Sequence, residues 1–390
     1  MAQNSTVRPD ARISAAINES RLRGEEGVAV AVYYQGKLII DSYDGLADPK
    51  NNKSVDSKTL FPVFSVTKGI TALAAHIQAE RGLLDVKATI SQYWPEFAAN
   101  GKGDTTVEDA LSHRAGIPQM PQGVTPELMA DWDWMVKGIA SLKPIFPPGK
   151  VNAYHVLSWG WIIGELVRRT DPAKRSFDKF VLEEIFEPLG VSGDIFLGVP
   201  NSELSRVAVL NGGLGAPIDD QYSASPEAVF PASPVHNLRV VQQSVGPGAG
   251  IISTASAMAR VFALLAQGGE LDGVQLLSKD RVQSFTGLRE GARDPDKIIP
   301  IPVWCGKAGY FLGGEPGASS PLVPNHADVL YSPGAGGSYA WADLQDGVSV
   351  AICHNNMDTG IIFEPEPTYG PIVRAIQDIV AELKAKEETA

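Results

Sequence analysis

Ser65 and Lys68 stand three residues apart in the run Ser65-Val66-Thr67-Lys68. On a helix, residues at that spacing share one face, one turn apart. A helix start adds unpaired N–H groups and partial positive charge beside the serine oxygen. A lysine taken out of water loses basicity, so part of it is neutral near neutral pH and can accept the serine proton. Together these features make an activated nucleophile of the serine–lysine type. The same four residues also fit a capping serine followed by a solvated lysine. The flanks weigh against that: Phe61-Pro62-Val63-Phe64 reads as the approach to a buried turn, and Gly69 to Gln78 as an almost uncharged apolar helix.

Six histidines, His76, His113, His155, His236, His326 and His354, raise the rival of a Ser-His-Asp triad, but the chain has no G-x-S-x-G turn. His76 lies in an apolar helix and His113 at a helix end, both structural positions. No two histidines are spaced to share a metal. Cys305 and Cys353 are the only cysteines and imply neither a disulfide framework nor a zinc site. Neither metal nor cofactor is expected. Asp85 and Asp109 read as helix-boundary residues. Trp132 and Trp134 fit either the lining of an acyl pocket or a lid, or a helix face packed on the core.

These residues need elements to hold them. At 390 residues, with 44% apolar and 20% charged side chains, the chain is long enough for a large core and more than one domain. Its net charge of -12 argues against a nucleic-acid surface and a polybasic membrane patch. No apolar stretch approaches a membrane span, and Met1 to Arg8 lacks the apolar core of a signal peptide, so a cytoplasmic location is expected. A helix is expected over Arg12–Arg23, then a hairpin from Val28–Tyr34 and Lys37–Tyr43 about Gln35-Gly36. A second hairpin pairs Ser338–Asp343 with Val348–Cys353, and a closing helix spans Gly370 to Lys386. Helical pattern fills the middle: Thr67–Arg81, Thr106–Ser112, Pro126–Leu142, Val156–Arg169 and Ser176–Glu187. Asp294 to Pro324 reads as a long Pro/Gly-rich loop carrying one strand near Ala308–Leu312. The fold class is therefore α/β (α+β). One antiparallel sheet is built from both ends of the chain, flanked by terminal helices, with a mostly helical region inserted. The sheet domain takes residues 1–63 and 243–390, the helical domain 64–242, and the active site lies between them.

Four ordered motifs carry a resemblance. Ser65-Val66-Thr67-Lys68, Leu111-Ser112-His113-Arg114-Ala115-Gly116-Ile117-Pro118, Pro148-Gly149 followed by Tyr154, and Gly250-Ile251-Ile252-Ser253-Thr254 resemble the serine hydrolases related to class C β-lactamases. That superfamily includes DD-peptidases, family VIII carboxylesterases, nearest in pattern to this chain, and acyl-transferring esterases. The likeness runs from the first hairpin to the closing helix and implies the β-lactamase/DD-peptidase-like fold.

It also implies roles. Tyr154, after the turn Phe146-Pro147-Pro148-Gly149, would serve as general base on the serine and general acid to the leaving group. A buried tyrosine bonded to a backbone carbonyl is its structural alternative. The family's asparagine two residues on is replaced by Val156, which favours an ester over a lactam or peptide. Ser332-Pro333-Gly334 stands where β-lactamases carry Lys-Thr-Gly, so the lysine that grips a carboxylate is missing. Ala335 N–H would join Ser65 N–H as an oxyanion hole, the glycines keeping the backbone open. His155, Trp132, Trp134, Ser332 and Gly334 are the expected substrate contacts.

The expected reaction is ester hydrolysis, or acyl transfer, through an acyl-enzyme on Ser65, with a small-molecule ester as the partner and no nucleic acid or membrane. An amide hydrolase of the β-lactamase, DD-peptidase or D-amino-acid amidase type is the alternative. A non-catalytic scaffold is the third reading, opposed by the intact serine, lysine and tyrosine.

Overall fold

Gln35 (φ 48°) and Gly36 (φ 74°) both take the left-handed conformation that a two-residue hairpin turn requires. They join the strands Gly27–Tyr34 and Lys37–Asp48 in the computed structural model of the chain, which describes residues 10–213, 221–299, 303–357 and 368–389. On its other side Gly27–Tyr34 pairs antiparallel with Val348–His354, Ala31 opposite Ala351. The second expected hairpin, Tyr339–Asp343 with Val348–His354, extends the sheet, followed by Val329–Pro333 and Phe311–Leu312. Lys53–Ser54 completes the far edge of seven strands. Both ends of the chain thus meet at the middle of one antiparallel sheet.

The strand Gly27–Tyr34 is buried along its whole length because both faces are covered. Alternate residues point to opposite faces. Val28, Val30 and Val32 pack with Ile13 and Ile17 of the helix Ala11–Leu22 and with Ile372, Val373 and Ile376 of the helix Gly370–Glu388. Each such valine contributes about 1.5–3 kcal/mol by leaving water. Ala29 and Ala31 face the other core, which includes Met258 and Phe262 of the helix Ala255–Ala266. Their small side chains leave room for that helix.

The inserted region holds the helices Thr67–Glu80, Val107–Leu111, Pro126–Met129, Trp132–Ser141, Ser158–Thr170 and Phe177–Val181. The helix expected over Pro126–Leu142 is two helices. Thr125 caps the first, and Asp131 caps the second by accepting from Trp134 N at 3.0 Å, so the chain restarts there. The helix expected to reach Glu187 widens into a π turn over Leu182–Phe186. Of the strand expected near Ala308–Leu312, only Phe311–Leu312 pairs, because Gly309 turns the chain at φ 96° just before it. A short sheet of Phe61–Pro62, Ile251–Ser253 and Ile195–Leu197 anchors the approach to Ser65. Among the described residues no helix is long and apolar enough to cross a membrane.

Candidate active site

Phe64 carries the chain from the strand Phe61–Pro62 into the helix Thr67–Glu80 through a left-handed conformation, φ 49°. A non-glycine residue there stores about 1–3 kcal/mol of strain. The Phe64 ring is locked among Leu210, Met357 and His236, whose ring centroid lies 4.3 Å away. Ser65 follows at once. From Thr67 to Gln78 the helix is buried on every side, so Lys68 projects into protein rather than water.

Lys68 Nζ lies 2.9 Å from Ser65 Oγ, 2.8 Å from Val156 O and 3.0 Å from Gly248 O. Burial pulls its pKa down to about 7. An ammonium has three N–H donors and no lone pair, whereas a neutral amine has two donors and one acceptor site. The two carbonyls and the hydroxyl oxygen accept the three N–H donors of the ammonium; once that proton is lost, the amine keeps two N–H groups for Val156 and Gly248 and has a lone pair for the serine. Gly248 comes this close because the helix Ser158–Thr170 presents Gly160 to it; a Cβ there would lie 2.2 Å from Gly248 N.

Tyr154 is buried with its ring 5.2 Å from Lys68 Nζ. Burial pushes its phenol well above the usual range, and a hydrogen bond with Ser65 partly opposes that. The resting group is therefore a phenol, a proton donor, and not a phenolate. Its backbone is held on three sides. Tyr154 N donates to Asp296 Oδ1 at 3.0 Å, Ala153 N to His113 O at 3.2 Å, and His155 N to His113 Nδ1 at 3.1 Å. His113, in the left-handed region at φ 61°, also lays its ring 4.4 Å from that of Tyr154.

The Gly-rich stretch closes the site from the sheet side. Ser332 Oγ lies 3.0 Å from where a Cβ on Gly69 would stand, so this strand packs on the first turn of the nucleophile helix. Gly334 permits the approach, since a Cβ on it would sit 2.4 Å from Val63 O. The Ala335 methyl packs beside Phe64, Leu210 and Met357.

Ser65, Lys68, Tyr154, Ser332, Gly334 and Ala335 therefore belong to one neighbourhood. His155, expected as a substrate contact, does not join it. Its Nδ1 bonds Ala153 O at 2.5 Å and its Nε2 accepts from Ile117 N at 3.2 Å, which defines a neutral ring buried in the scaffold. Burial draws its pKa down to about 4. Trp132 donates to Glu165 Oε2 at 2.9 Å and packs on Trp161 and Phe177, and Trp134 packs partly buried on the same core. Both tryptophans thus follow the core-packing alternative. Sequence reasoning missed Asp296 and the Gly248 carbonyl, neither of which has a spacing signature, and it read His113 as structural without its hold on the backbone around Tyr154. Among the described residues one group of possible metal donors occurs, His326, Asp343 and Asp346. It lies at the end of the strand Tyr339–Asp343 opposite the Gly-rich turn, and Asp346 already pairs with Lys384 at 2.7 Å.

Comparison with known proteins follows the same lines. The β-lactamase family profile matches residues 15–363. The chain is 30% identical over 377 residues to the esterase/β-lactamase LipL of Mycobacterium tuberculosis, covering 92% of this chain and 84% of that one. It is 25% identical over 412 residues to the esterase EstB of Burkholderia gladioli, covering 97% and 96%. A solved family VIII carboxylesterase superposes with a TM-score of 0.84 at 27% identity, over 95% of this chain and 98% of that one. A penicillin-binding protein homologue from Caulobacter crescentus gives 0.83 at 30%, over the same shares.

Proposed function

The chain belongs to the β-lactamase family and has its fold, and from that premise we propose that it is a serine carboxylesterase working through an acyl-enzyme on Ser65. The observation that carries this reading is the 2.9 Å contact between Ser65 Oγ and a Lys68 amine stripped of water and bonded to two carbonyls. Neutral Lys68 takes the hydroxyl proton as Ser65 Oγ attacks the ester carbonyl. The tetrahedral oxyanion is met by the N–H groups of Ser65 and Ala335. The alkoxide leaves with the proton of Tyr154, which Lys68 then restores. Water, or a second alcohol, attacks the acyl-enzyme by the reverse sequence. On this reading the site lies between the expected sheet domain and the expected helical domain.

An ester suits this site better than a lactam. Ser332 supplies no cation for a carboxylate, and Val156 offers Lys68 a carbonyl while its side chain has no amide to recognise one. The names of the EstB and family VIII relatives support the same choice. Amide hydrolysis remains the second reading because the 30% identical Caulobacter structure is named as a penicillin-binding protein homologue. The test is intact-protein mass spectrometry after brief exposure to p-nitrophenyl esters, in wild type and Ser65→Ala. A butyryl adduct on wild type alone is expected; an equal adduct on the alanine variant would remove Ser65 from the mechanism.

A further inference from the structure

Asp296 lies in the long Pro/Gly-rich stretch, far in sequence from every motif described above, and its side chain is 1% exposed. Oδ1 accepts three backbone N–H groups: Ile298 at 2.9 Å, Ile299 at 3.1 Å and Tyr154 at 3.0 Å. The first two are local and would suffice to hold a turn. The third reaches 142 residues back along the chain. Oδ2 is buried without a hydrogen bond and stands 3.9 Å from Arg289 Nη2. Arg289, equally buried, donates to Ser112 O at 3.0 Å and Val303 O at 3.3 Å. Ser112 precedes His113, which holds Ala153 and His155 on either side of the tyrosine. A closed circuit thus surrounds Tyr154: Ser112, Arg289, Asp296, Tyr154, its two chain neighbours, and His113. Burying a carboxylate with one bare oxygen is expensive, and a turn alone does not require it.

We propose that Asp296, steadied by Arg289, is a positioning residue for Tyr154, fixing the backbone from which the phenol reaches Ser65. The proposal rests on the ester-cleaving reading above. The amide nitrogen is one bond from the tyrosine Cα, so releasing it lets the whole side chain swing. A misplacement of about 1 Å in a reacting group costs on the order of a hundredfold in rate. Burial first, and the Asp296 charge as a smaller influence, also keep the phenol protonated, as a proton donor must be.

The test is a double-mutant cycle on the full chain, with kcat and KM for p-nitrophenyl butyrate measured separately. Asp296→Ala should lower kcat by about tenfold to a hundredfold while KM stays within about twofold. Asp296→Asn restores an acceptor oxygen and should recover most of the loss. In the Tyr154→Phe background, where no hydroxyl is left to misplace, Asp296→Ala should cost less than about threefold. Asp171→Ala is the control: it removes another buried carboxylate, paired with Arg175 at the far end of the helix Ser158–Thr170, and should leave kcat unchanged. If the Asp296 loss multiplies fully in the Tyr154→Phe background, or if Asp296→Ala keeps wild-type kcat while Tyr154→Phe is impaired, the positioning role is overturned and the esterase reading stands. If Tyr154→Phe is itself fully active, the mechanism falls and the proposal with it. Should Asp296→Ala not fold, Asp296→Ser is read in the same cycle by the same criteria.

Discussion

The pH dependence of the reaction tests the assignment of Lys68 as the base. Its pKa falls from 10.5 to about 7 by burial alone. With an ordinary pKa, only roughly three lysines in ten thousand would be neutral at pH 7; with the shifted one, about half are. Taking Lys68 out of water therefore raises the reactive fraction by about a thousandfold. The sign follows from which form works. In the proposed mechanism neutral Lys68 is the active form, so kcat/KM should fall about tenfold per pH unit below about pH 6.5 and flatten above about pH 8. The phenol of Tyr154 keeps its proton across this range, so no falling limb is expected on the alkaline side. The assay is kcat/KM for p-nitrophenyl acetate from about pH 5 to about pH 9, followed at a wavelength insensitive to nitrophenol ionisation. A profile that is flat to pH 5, or that rises only near the ordinary lysine range, would refute the argument.

Five further outcomes are expected. Ser65→Ala should lose nearly all ester turnover with little change in melting temperature, since the Ser65 side chain makes no helix-capping hydrogen bond. Tyr154→Phe should lower kcat by about a hundredfold, and thermal melts should find the fold unchanged. His155→Ala should act first on stability, leaving Ile117 N and Ala153 O unpaired at about 1–3 kcal/mol each; a stable but inactive variant would return the imidazole to the chemistry. Gly334→Ala, whose Cβ would meet Val63 O at 2.4 Å, should lower kcat by moving the Ala335 N–H, and the short esters should exceed nitrocefin in kcat/KM by at least about tenfold, a charged hydrogen bond being worth about 1.5–3 kcal/mol.

Much of the architecture was legible because local pattern and tertiary demand agree. The strand Gly27–Tyr34 reads as apolar throughout because it is covered on both faces, and its turn is dictated by Gln35-Gly36. Ser65 and Lys68 were legible from spacing plus an uncharged flank, because the turn that carries Ser65 leads directly into the buried helix that carries Lys68. The break at Asp131 was not, since a capping carboxylate inside an otherwise helical run looks like a surface residue until its N–H partner is known. His155 misled by adjacency: its neighbour faces the serine, and one residue on, the side chain points into the scaffold. Asp296 was invisible because a hydrogen bond across 142 residues leaves no periodicity to detect.

The pairing of Val28 with His354 at the centre of the sheet also governs how the protein can be made. During synthesis the strand Gly27–Tyr34 finds its hairpin mate Lys37–Asp48 immediately, but its second neighbour is not made until the ribosome reaches Val348–His354. For nearly the whole of translation an all-apolar strand has one open edge, the situation most prone to wrong pairing between nascent chains. The internal helices can collapse meanwhile, yet the docking that seals Ala29 and Ala31 against Ala255–Ala266 must wait for the last strands. Yield in a fast-translating host should therefore depend on chaperone supply and temperature more than on the stability of the finished enzyme.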